Sequence, residues 1–118
     1  MIPNARITLF GGPYPGYEKK ALQLFNDAGQ FYAQLKQKGD VDSYESFVFD
    51  DFNAEFGGFT ILRGDPDKLM KLSRTEEAAG FGHRGELLLR NFRIVRGFHG
   101  ENMQSRMANY MKQVELLK

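Results

Sequence analysis

The sequence predicts a single α+β domain over residues 1–118, with a four-stranded sheet covered on one face by two helices. Its 118 residues suffice for one domain with its own core, and 42% apolar against 26% charged residues is typical of a globular protein. Short alternating segments predict strands, and apolar residues at steps of three and four predict helices. The segments "ITLFGGP" and "FTILRGDP" also resemble each other, each running strand, Gly, Pro, helix.

The first half of the chain is predicted to hold a strand, a long helix and a hairpin. Residues 6–10, "RITLF", alternate like a half-buried strand, and "GGPYPG" breaks the chain after them. Apolar residues from Tyr17 to Leu35 line one stripe of a helix, and Gly39 follows its last turn. The segments "DSYESFVF" and "GFTILRG" then predict strands two and three, a hairpin over residues 44–63.

The second half is predicted to hold one interrupted helix, a fourth strand and an additional helix. Asp65 fits the N-cap and Pro66 the first position of the second helix. The segment "GFGHRG", residues 80–85, is expected to interrupt that helix as a loop. Residues 91–99 predict strand four, and apolar residues from 103 to 117 recur at helical spacing.

This order, β-α-β-β-α-β and then a helix, is the ferredoxin-like split arrangement. A right-handed crossover is expected to place strands one and three side by side and parallel. The hairpin places strand two beside strand three, and strand four pairs with strand one on the other side. The predicted fold class is therefore α+β, a ferredoxin-like antiparallel sheet with an added C-terminal helix.

The stretches "GGFTILRGDPDKLMKL" and "FRIVRGFHGENMQSRMANYM", with this element order, resemble small bacterial members of the dimeric α/β-barrel superfamily. In that superfamily two ferredoxin-like chains pack sheet to sheet. Its members include cofactor-independent monooxygenases, polyketide cyclases, haem-degrading enzymes and proteins with no known activity. The resemblance covers most of the chain but no catalytic signature. It implies a homodimeric α/β barrel. The four-stranded fold is complete before residue 101, so the apolar stripe of the last helix must bury against the rest of the domain or the other chain, and we expect this helix to close one end of the barrel or clasp the second subunit.

The two faces of the predicted sheet differ in chemistry. Ile7 and Leu9 on strand one are expected to face the helices, as are Phe47, Phe49, Phe59, Ile61, Phe92 and Ile94 on the other strands. The open face is then expected to carry Arg6, Thr8, Phe10, Tyr44, Ser46, Val48, Thr60, Leu62, Arg93, Val95 and His99. A register slip by one residue exchanges the two faces of a strand, and would replace Arg93 and His99 with Arg96 and Phe98.

The mixed open face suggests a small-molecule site inside the barrel, either a binding site or a site of cofactor-free catalysis. His99 is the candidate to move a proton, Arg93 to bind an anionic or enol oxygen, and Tyr44 to orient the ligand. The proposed ligand contacts are Phe10, Thr8 and Thr60. The expected ligand is a small organic acid or a phenol, with no cofactor. The alternatives are a surface or interface histidine, and a non-catalytic interaction dimer whose sheet is wholly used in contact.

Composition and motif spacing exclude or disfavour several other functions. With no cysteine, disulfides, thiolate catalysis and iron–sulfur clusters are excluded. Two histidines sixteen positions apart, without a compact carboxylate set, predict no metal site. "GGPYPG" lacks the Lys-Ser/Thr of a phosphate-binding loop and is expected to be a plain turn. The absence of cysteine makes a reducing cytoplasm the expected compartment, and neither a secretory signal nor a membrane-spanning apolar run is found.

RNA binding is disfavoured, although RNA-recognition domains share this element order. Their third strand places aromatic residues on the open face after a basic residue, whereas "EFGGFTIL" begins with Glu55. The corresponding aromatic position of strand one is Thr8. The net charge of +1 also gives little attraction to phosphates.

Overall fold

The computed structural model describes residues 2–118, which form a four-stranded antiparallel sheet and four helices. The elements, in chain order, are β1 (Ala5–Phe10), α1 (Glu18–Lys38), β2 (Ser43–Val48), β3 (Gly58–Arg63), α2 (Pro66–Ser73), α3 (Glu76–Leu88), β4 (Arg93–Gly97) and α4 (Glu101–Leu116). The α+β class is as expected from the sequence, and the architecture is consistent with a ferredoxin-like fold.

The sheet has the strand order β2-β3-β1-β4, and every neighbouring pair is antiparallel. The expectation that strands one and three run parallel is therefore wrong. The crossover through α1 returns the chain in the direction of β1, so β2 is the strand parallel to β1. The hairpin then reverses the chain, and β3 enters between β1 and β2 in the antiparallel sense.

The end of α1 and the start of α2 are as their sequences predict. Gly39 closes α1 in the left-handed conformation, with φ of 82°, and its N–H reaches the carbonyls of Leu35 and Lys36. At the start of α2, the Asp65 side chain accepts a hydrogen bond from the Lys68 N–H over 3.1 Å. Pro66 is the first residue of α2, where its missing N–H costs no hydrogen bond.

The segment "GFGHRG" is helical, so the expected loop at residues 80–85 is wrong. The break in the helical region lies earlier, at Arg74 and Thr75, and the Thr75 hydroxyl caps α3 by accepting from the Ala78 N–H over 3.2 Å. Gly85, the last glycine of this segment, serves packing. A Cβ on Gly85 would lie 2.2 Å from the ring of Phe92, so only glycine lets α3 approach the sheet this closely. His83 is consequently an exposed residue of a helix.

The expected face assignment is wrong on β1, β2 and β3, and right on β4. Cross-strand partners share a face, and Thr8 is opposite both Thr60 on β3 and Ile94 on β4. Thr60 and Leu62 are buried under the helices, whereas Leu9 is 36% exposed. Both alternate sets of β1 and β3 contain large apolar residues, so hydrophobicity alone did not distinguish the two faces.

The open face, which no helix of the chain covers, is strongly apolar. It carries Ile7, Leu9, Phe47, Phe49, Phe59, Ile61, Arg93 and Val95. Phe47 is 46% exposed although its ring stacks on that of Phe59 at a centroid distance of 4.9 Å. Arg63 and Glu45 form an ion pair on the same face.

The core lies between the sheet and the helices as two clusters. One cluster contains Phe31, Leu35, Val41, Leu62, Leu69, Leu72 and Ala78. The other contains Phe10, Ala21, Leu24, Leu88 and Leu89. Phe81 of α3 packs against both clusters and joins them.

The C-terminal helix α4 buries none of its side chains against the rest of the chain. Its apolar stripe is open to solvent, with Met103 48%, Met107 53%, Tyr110 62% and Met111 54% exposed. Such a helix is marginal in water without a surface to pack against. No helix within residues 2–118 has the length and apolar character needed to cross a membrane.

Candidate functional site

An internal cavity of about 160 Å³ lies between the helix-covered face of the sheet and helices α1 and α3. The strands contribute Arg6, Thr8, Phe10, Ser46, Phe47, Val48, Thr60 and Ile94 to its lining, and the segment between α3 and β4 contributes Leu89 and Phe92. The two helices contribute Leu24, Phe25, Ala28, Gly29, Phe31, Tyr32, Ala78, Phe81 and Gly82. Val48 is 70% exposed and Ile94 is 36% exposed, so the rim of the cavity reaches solvent.

Aromatic rings form most of the cavity wall. The rings of Phe31 and Phe81 stack at a centroid distance of 4.8 Å, and those of Phe10 and Phe25 tilt against each other at 5.1 Å. Stacked and tilted rings in a core hold each other in place. The wall is therefore preformed for a flat apolar group.

A few polar groups converge on this apolar space. The Ser46 and Thr60 hydroxyls hydrogen-bond to each other over 2.9 Å. Arg6, Tyr32 and Thr8 belong to the same lining, and the Tyr32 hydroxyl lies close to the Thr8 hydroxyl and the Arg6 charge. A mainly apolar cavity with a small number of directed polar groups is the usual form of a small-molecule site.

Tyr32 stays a neutral hydrogen-bonding group well into alkaline solution. Burial raises the pKa of Tyr32 above its ordinary 10.0, and the neighbouring Thr8 hydroxyl and Arg6 guanidinium oppose this without cancelling it. The phenol can therefore donate a hydrogen bond to a ligand in the cavity at neutral pH.

Arg6 is a half-buried cation without a carboxylate partner. Within residues 2–118 the ion pairs are Arg63–Glu45, Arg84–Asp27 and Lys118–Glu115. Burial lowers the pKa of Arg6, Tyr32 raises it and Arg96 lowers it. An arginine nevertheless keeps its charge in proteins. A buried charge usually has a counter-ion, and none of these ion pairs supplies one for Arg6.

The sequence-predicted site residues are divided between the two sides of the sheet. Phe10, Thr8 and Thr60 line the cavity together. Tyr44 is adjacent to it, with its ring 6.1 Å from that of Tyr32, but is not part of the lining. Their roles in binding stay a prediction.

Arg93 and His99 do not join this group. Arg93 pairs across the sheet with Leu9, and is exposed on the open face. His99 lies beyond the end of β4, where its backbone N–H donates to the Asn4 side chain over 2.9 Å. The structure thus does not bring the three candidate catalytic residues, His99, Arg93 and Tyr44, into one site.

Two residues that sequence reasoning left out of the site are Arg6 and Tyr32. Arg6 belongs to the same alternating set of β1 as Thr8 and Phe10, so its place beside them followed from the pleat. These residues were grouped correctly from the sequence but were assigned to the open face instead of the helix-covered face. Tyr32 belongs to the apolar stripe of α1, and no signal in the sequence indicates that its phenol belongs to the cavity lining.

The glycine-rich segment after β1 is a packing element. The Gly11 N–H donates to the Arg90 carbonyl over 2.7 Å, and the Gly12 N–H donates to the Asn53 carbonyl over 2.9 Å. A Cβ on Gly11 would lie 1.9 Å from the Ala54 carbonyl oxygen. Both amides are engaged within the chain, so they do not form a phosphate cradle. Within residues 2–118, no three His, Asp or Glu side chains lie close enough to hold a metal ion.

The fold is similar to that of a solved bacterial protein. The crystal structure of PA3566 from Pseudomonas aeruginosa superposes with a TM-score of 0.61 at 17% sequence identity, covering 85% of this chain and 96% of that chain. At this identity the similarity shows the fold alone. No protein-family model matches the chain, and no curated protein sequence matches it.

Proposed function

We propose that this chain binds a small, largely apolar organic molecule in the internal cavity. The observation that carries the proposal is the combination of aromatic walls with the Arg6 guanidinium and the Tyr32 hydroxyl in one space. A cavity of roughly 150 Å³ lined by apolar side chains accepts a benzene molecule. The cavity of about 160 Å³ therefore fits a single ring and one substituent.

The lining residues divide the binding task by their chemistry. The stacked pair of Phe31 and Phe81 forms an aromatic wall on one side of the ligand, and Phe10 closes one end. Tyr32 donates a hydrogen bond to a ligand oxygen, the orienting role first assigned to Tyr44. These contacts support binding directly. Cofactor-free catalysis remains the further hypothesis, with Tyr32 as the nearest group that exchanges a proton with the ligand.

A cavity-filling substitution tests the proposal. Ala28 lines the cavity from α1, whereas Ala33 of the same helix is exposed and outside the lining. In Ala28→Phe the added ring occupies the space, so we expect binding of neutral one-ring probes such as phenylacetamide to weaken at least about tenfold. Ala33→Phe should bind like the natural chain. Titrations followed by two-dimensional NMR measure both affinities and the site.

Two results would contradict the binding proposal. One is that no one-ring compound, neutral or charged, shifts the resonances of the lining residues at millimolar concentration. The other is that Ala28→Phe and the natural chain bind such compounds equally. In either case the non-catalytic interaction protein becomes the better account.

A homodimer through the open face is the second part of the proposed function. Contiguous apolar surface on this scale usually marks an interaction site, and a two-fold axis lets one face cover its own copy. The resemblance to dimeric α/β barrels favours a second copy as the occupant. Light scattering at micromolar concentration measures the expected dimer; a strict monomer would rule it out.

Paired glutamate substitutions test which surface forms the dimer. Phe47 is 46% exposed on the open face, and Leu22 is 68% exposed on α1. Phe47→Glu places a charge in the proposed interface, so we expect a monomer or a much weaker dimer. Leu22→Glu should leave the dimer intact. If both variants behave alike, the open face is not the interface.

RNA binding through the open face stays a minor alternative. The stacked Phe47 and Phe59 do lie on that face, contrary to the expectation from the sequence. The loop after β2, however, carries Asp50, Asp51 and Glu55, whose charges repel phosphates. Fluorescence polarisation with single-stranded RNA is expected to show no saturable binding at physiological salt.

A further inference from the structure

We infer that the ligand of the internal cavity is a one-ring carboxylic acid, whose carboxylate is held by Arg6 together with Arg96. The inference rests on the proposed binding function and adds the charge and chemical class of the ligand.

The position of the two arginines carries the inference. Arg6 on β1 and Arg96 on β4 are directly opposite each other in the antiparallel ladder, so their side chains project from the same face. That face is the one covered by the helices, because Arg6 lines the internal cavity. Both arginines also border a smaller gap beneath α2, together with Met70 and Ser73. Two cations thus lie side by side at the Arg6 end of the cavity, with Arg6 lining the cavity and the exposed Arg96 bordering the adjoining gap.

The surroundings of this pair lack a compensating negative charge. The groups that act on the pKa of Arg6 are Tyr32 and Arg96, with no carboxylate among them. The ion pairs within residues 2–118 involve neither Arg6 nor Arg96. Two like charges side by side, one of them half-buried, are unfavourable unless an anion joins them. A ligand carboxylate supplies that anion and matches the planar fork of a guanidinium.

The length of the cavity agrees with a ring joined to a carboxylate. The lining of β1 runs from Arg6 through Thr8 to Phe10. Alternate residues of a strand are about 6.6 Å apart, so these side chains span about 13 Å. A carboxylate at Arg6 then places the ring beside Phe31 and Phe81, and Phe10 limits the ligand at the far end. The position next to Thr8 and Tyr32 accommodates a further hydroxyl or carbonyl oxygen.

A matched pair of ligands tests the charge requirement. Phenylacetate and phenylacetamide have nearly the same shape, and only the acid is charged at neutral pH. Hydrogen bonds to charged groups are strong enough that we expect phenylacetate to bind at least about tenfold more tightly. Raising the salt concentration should weaken binding of the acid and leave that of the amide unchanged.

Substitutions of the arginines test the assignment of residues. In Arg6→Gln the preference for the acid should fall below about threefold, with the affinity for phenylacetamide kept within about twofold. Arg96→Gln should lower the preference to an intermediate value. Arg63→Gln is the control, because Arg63 lies at the same end of the sheet but on the open face. The Arg63→Gln variant should prefer phenylacetate over phenylacetamide as strongly as the natural chain does.

The outcomes separate this inference from the proposed function. One outcome is that the natural chain binds acid and amide equally, with both bindings lost in Ala28→Phe. That result would keep the cavity as the binding site but would overturn the inference that the ligand carries a carboxylate. Tighter binding of phenyl phosphate than of phenylacetate also overturns it, in favour of a phosphate ligand. An acid preference that survives Arg6→Gln overturns the arginine assignment. Failure of every one-ring compound to bind overturns the proposed function itself.

Discussion

Replacing Arg6 by methionine should stabilise the free protein and remove most of its preference for acids over neutral ligands. The substitution keeps a long flexible side chain in the same position but removes a half-buried charge beside Arg96. Coulomb's law gives about 0.5–1 kcal/mol for two unit charges about 8 Å apart at an effective dielectric constant of about 40–80. Relief of the burial of the guanidinium adds to this. Stabilising single substitutions commonly contribute about 0.5–2 kcal/mol, so we expect a gain within that range.

The gain is measurable by thermal and chemical unfolding. For a domain of 118 residues, a change of 1 kcal/mol in the free energy of unfolding corresponds to a Tm change of about 3–6 °C. Salt provides an internal check. Screening of the Arg6–Arg96 repulsion should raise the Tm of the natural chain as ionic strength rises, and the effect should be smaller in Arg6→Met.

A marked loss of stability in Arg6→Met would refute this reasoning. It would mean that the guanidinium satisfies polar groups of the fold, so that Arg6 is a structural residue. A gain in stability with undiminished binding of phenylacetate would refute the assignment of Arg6 as the residue that binds the carboxylate. The combination we predict, higher stability with weaker binding of the acid, is the usual sign of a residue kept for function at a cost in stability.

Three further predictions address packing, pH and the C-terminal helix. Gly85→Ala should destabilise the chain by about 1–3 kcal/mol, because the new methyl group would overlap the ring of Phe92. Gly80→Ala in the same helix meets nothing within 4 Å and should stabilise it by about 0.5–1 kcal/mol; equal effects in urea unfolding would contradict the packing role. Because burial raises the pKa of Tyr32 above 10.0, the folded chain retains this proton where the unfolded chain loses it, so stability should fall as the pH rises above that value. Tyr32→Phe should make the stability less dependent on pH above 10.0. If the stability of this variant depends on pH as that of the natural chain does, the pKa of Tyr32 is not raised. Removal of residues 101–118 should weaken dimerisation and lower the Tm of the dimer; light scattering and melting curves identical to those of the full chain would show that α4 has no such role.

The sequence predicted the elements well, because each carries a local signal. The stripe of α1 and its closing Gly39 are local features, as are the Asp65 cap and Pro66 at the start of α2. The helical glycines misled the sequence interpretation, since glycine also ends helices. Gly85 is explained by the ring of Phe92, a contact between two elements that no local pattern contains.

The site was harder to predict than the fold, because it depends on which side of the sheet the helices cover. In β1 the set Arg6, Thr8 and Phe10 is more polar than the set of Ile7 and Leu9, so hydrophobicity placed the wrong set in the core. The grouping of Thr8, Phe10 and Thr60 nevertheless followed from the pleat alone. The juxtaposition of Arg6 with Arg96 required the register of β4, which a strand of five residues with apolar groups on both faces does not reveal.

A crystal structure of the protein with phenylacetate tests the central claim most directly. We predict the ring against the stacked pair of Phe31 and Phe81, inside the cavity of about 160 Å³, with the carboxylate within hydrogen-bonding distance of Arg6. The Tyr32 hydroxyl should lie on the same side of the ligand as Thr8. Phenylacetate bound on the open face, or a cavity that stays free of it at saturating concentration, would contradict the account.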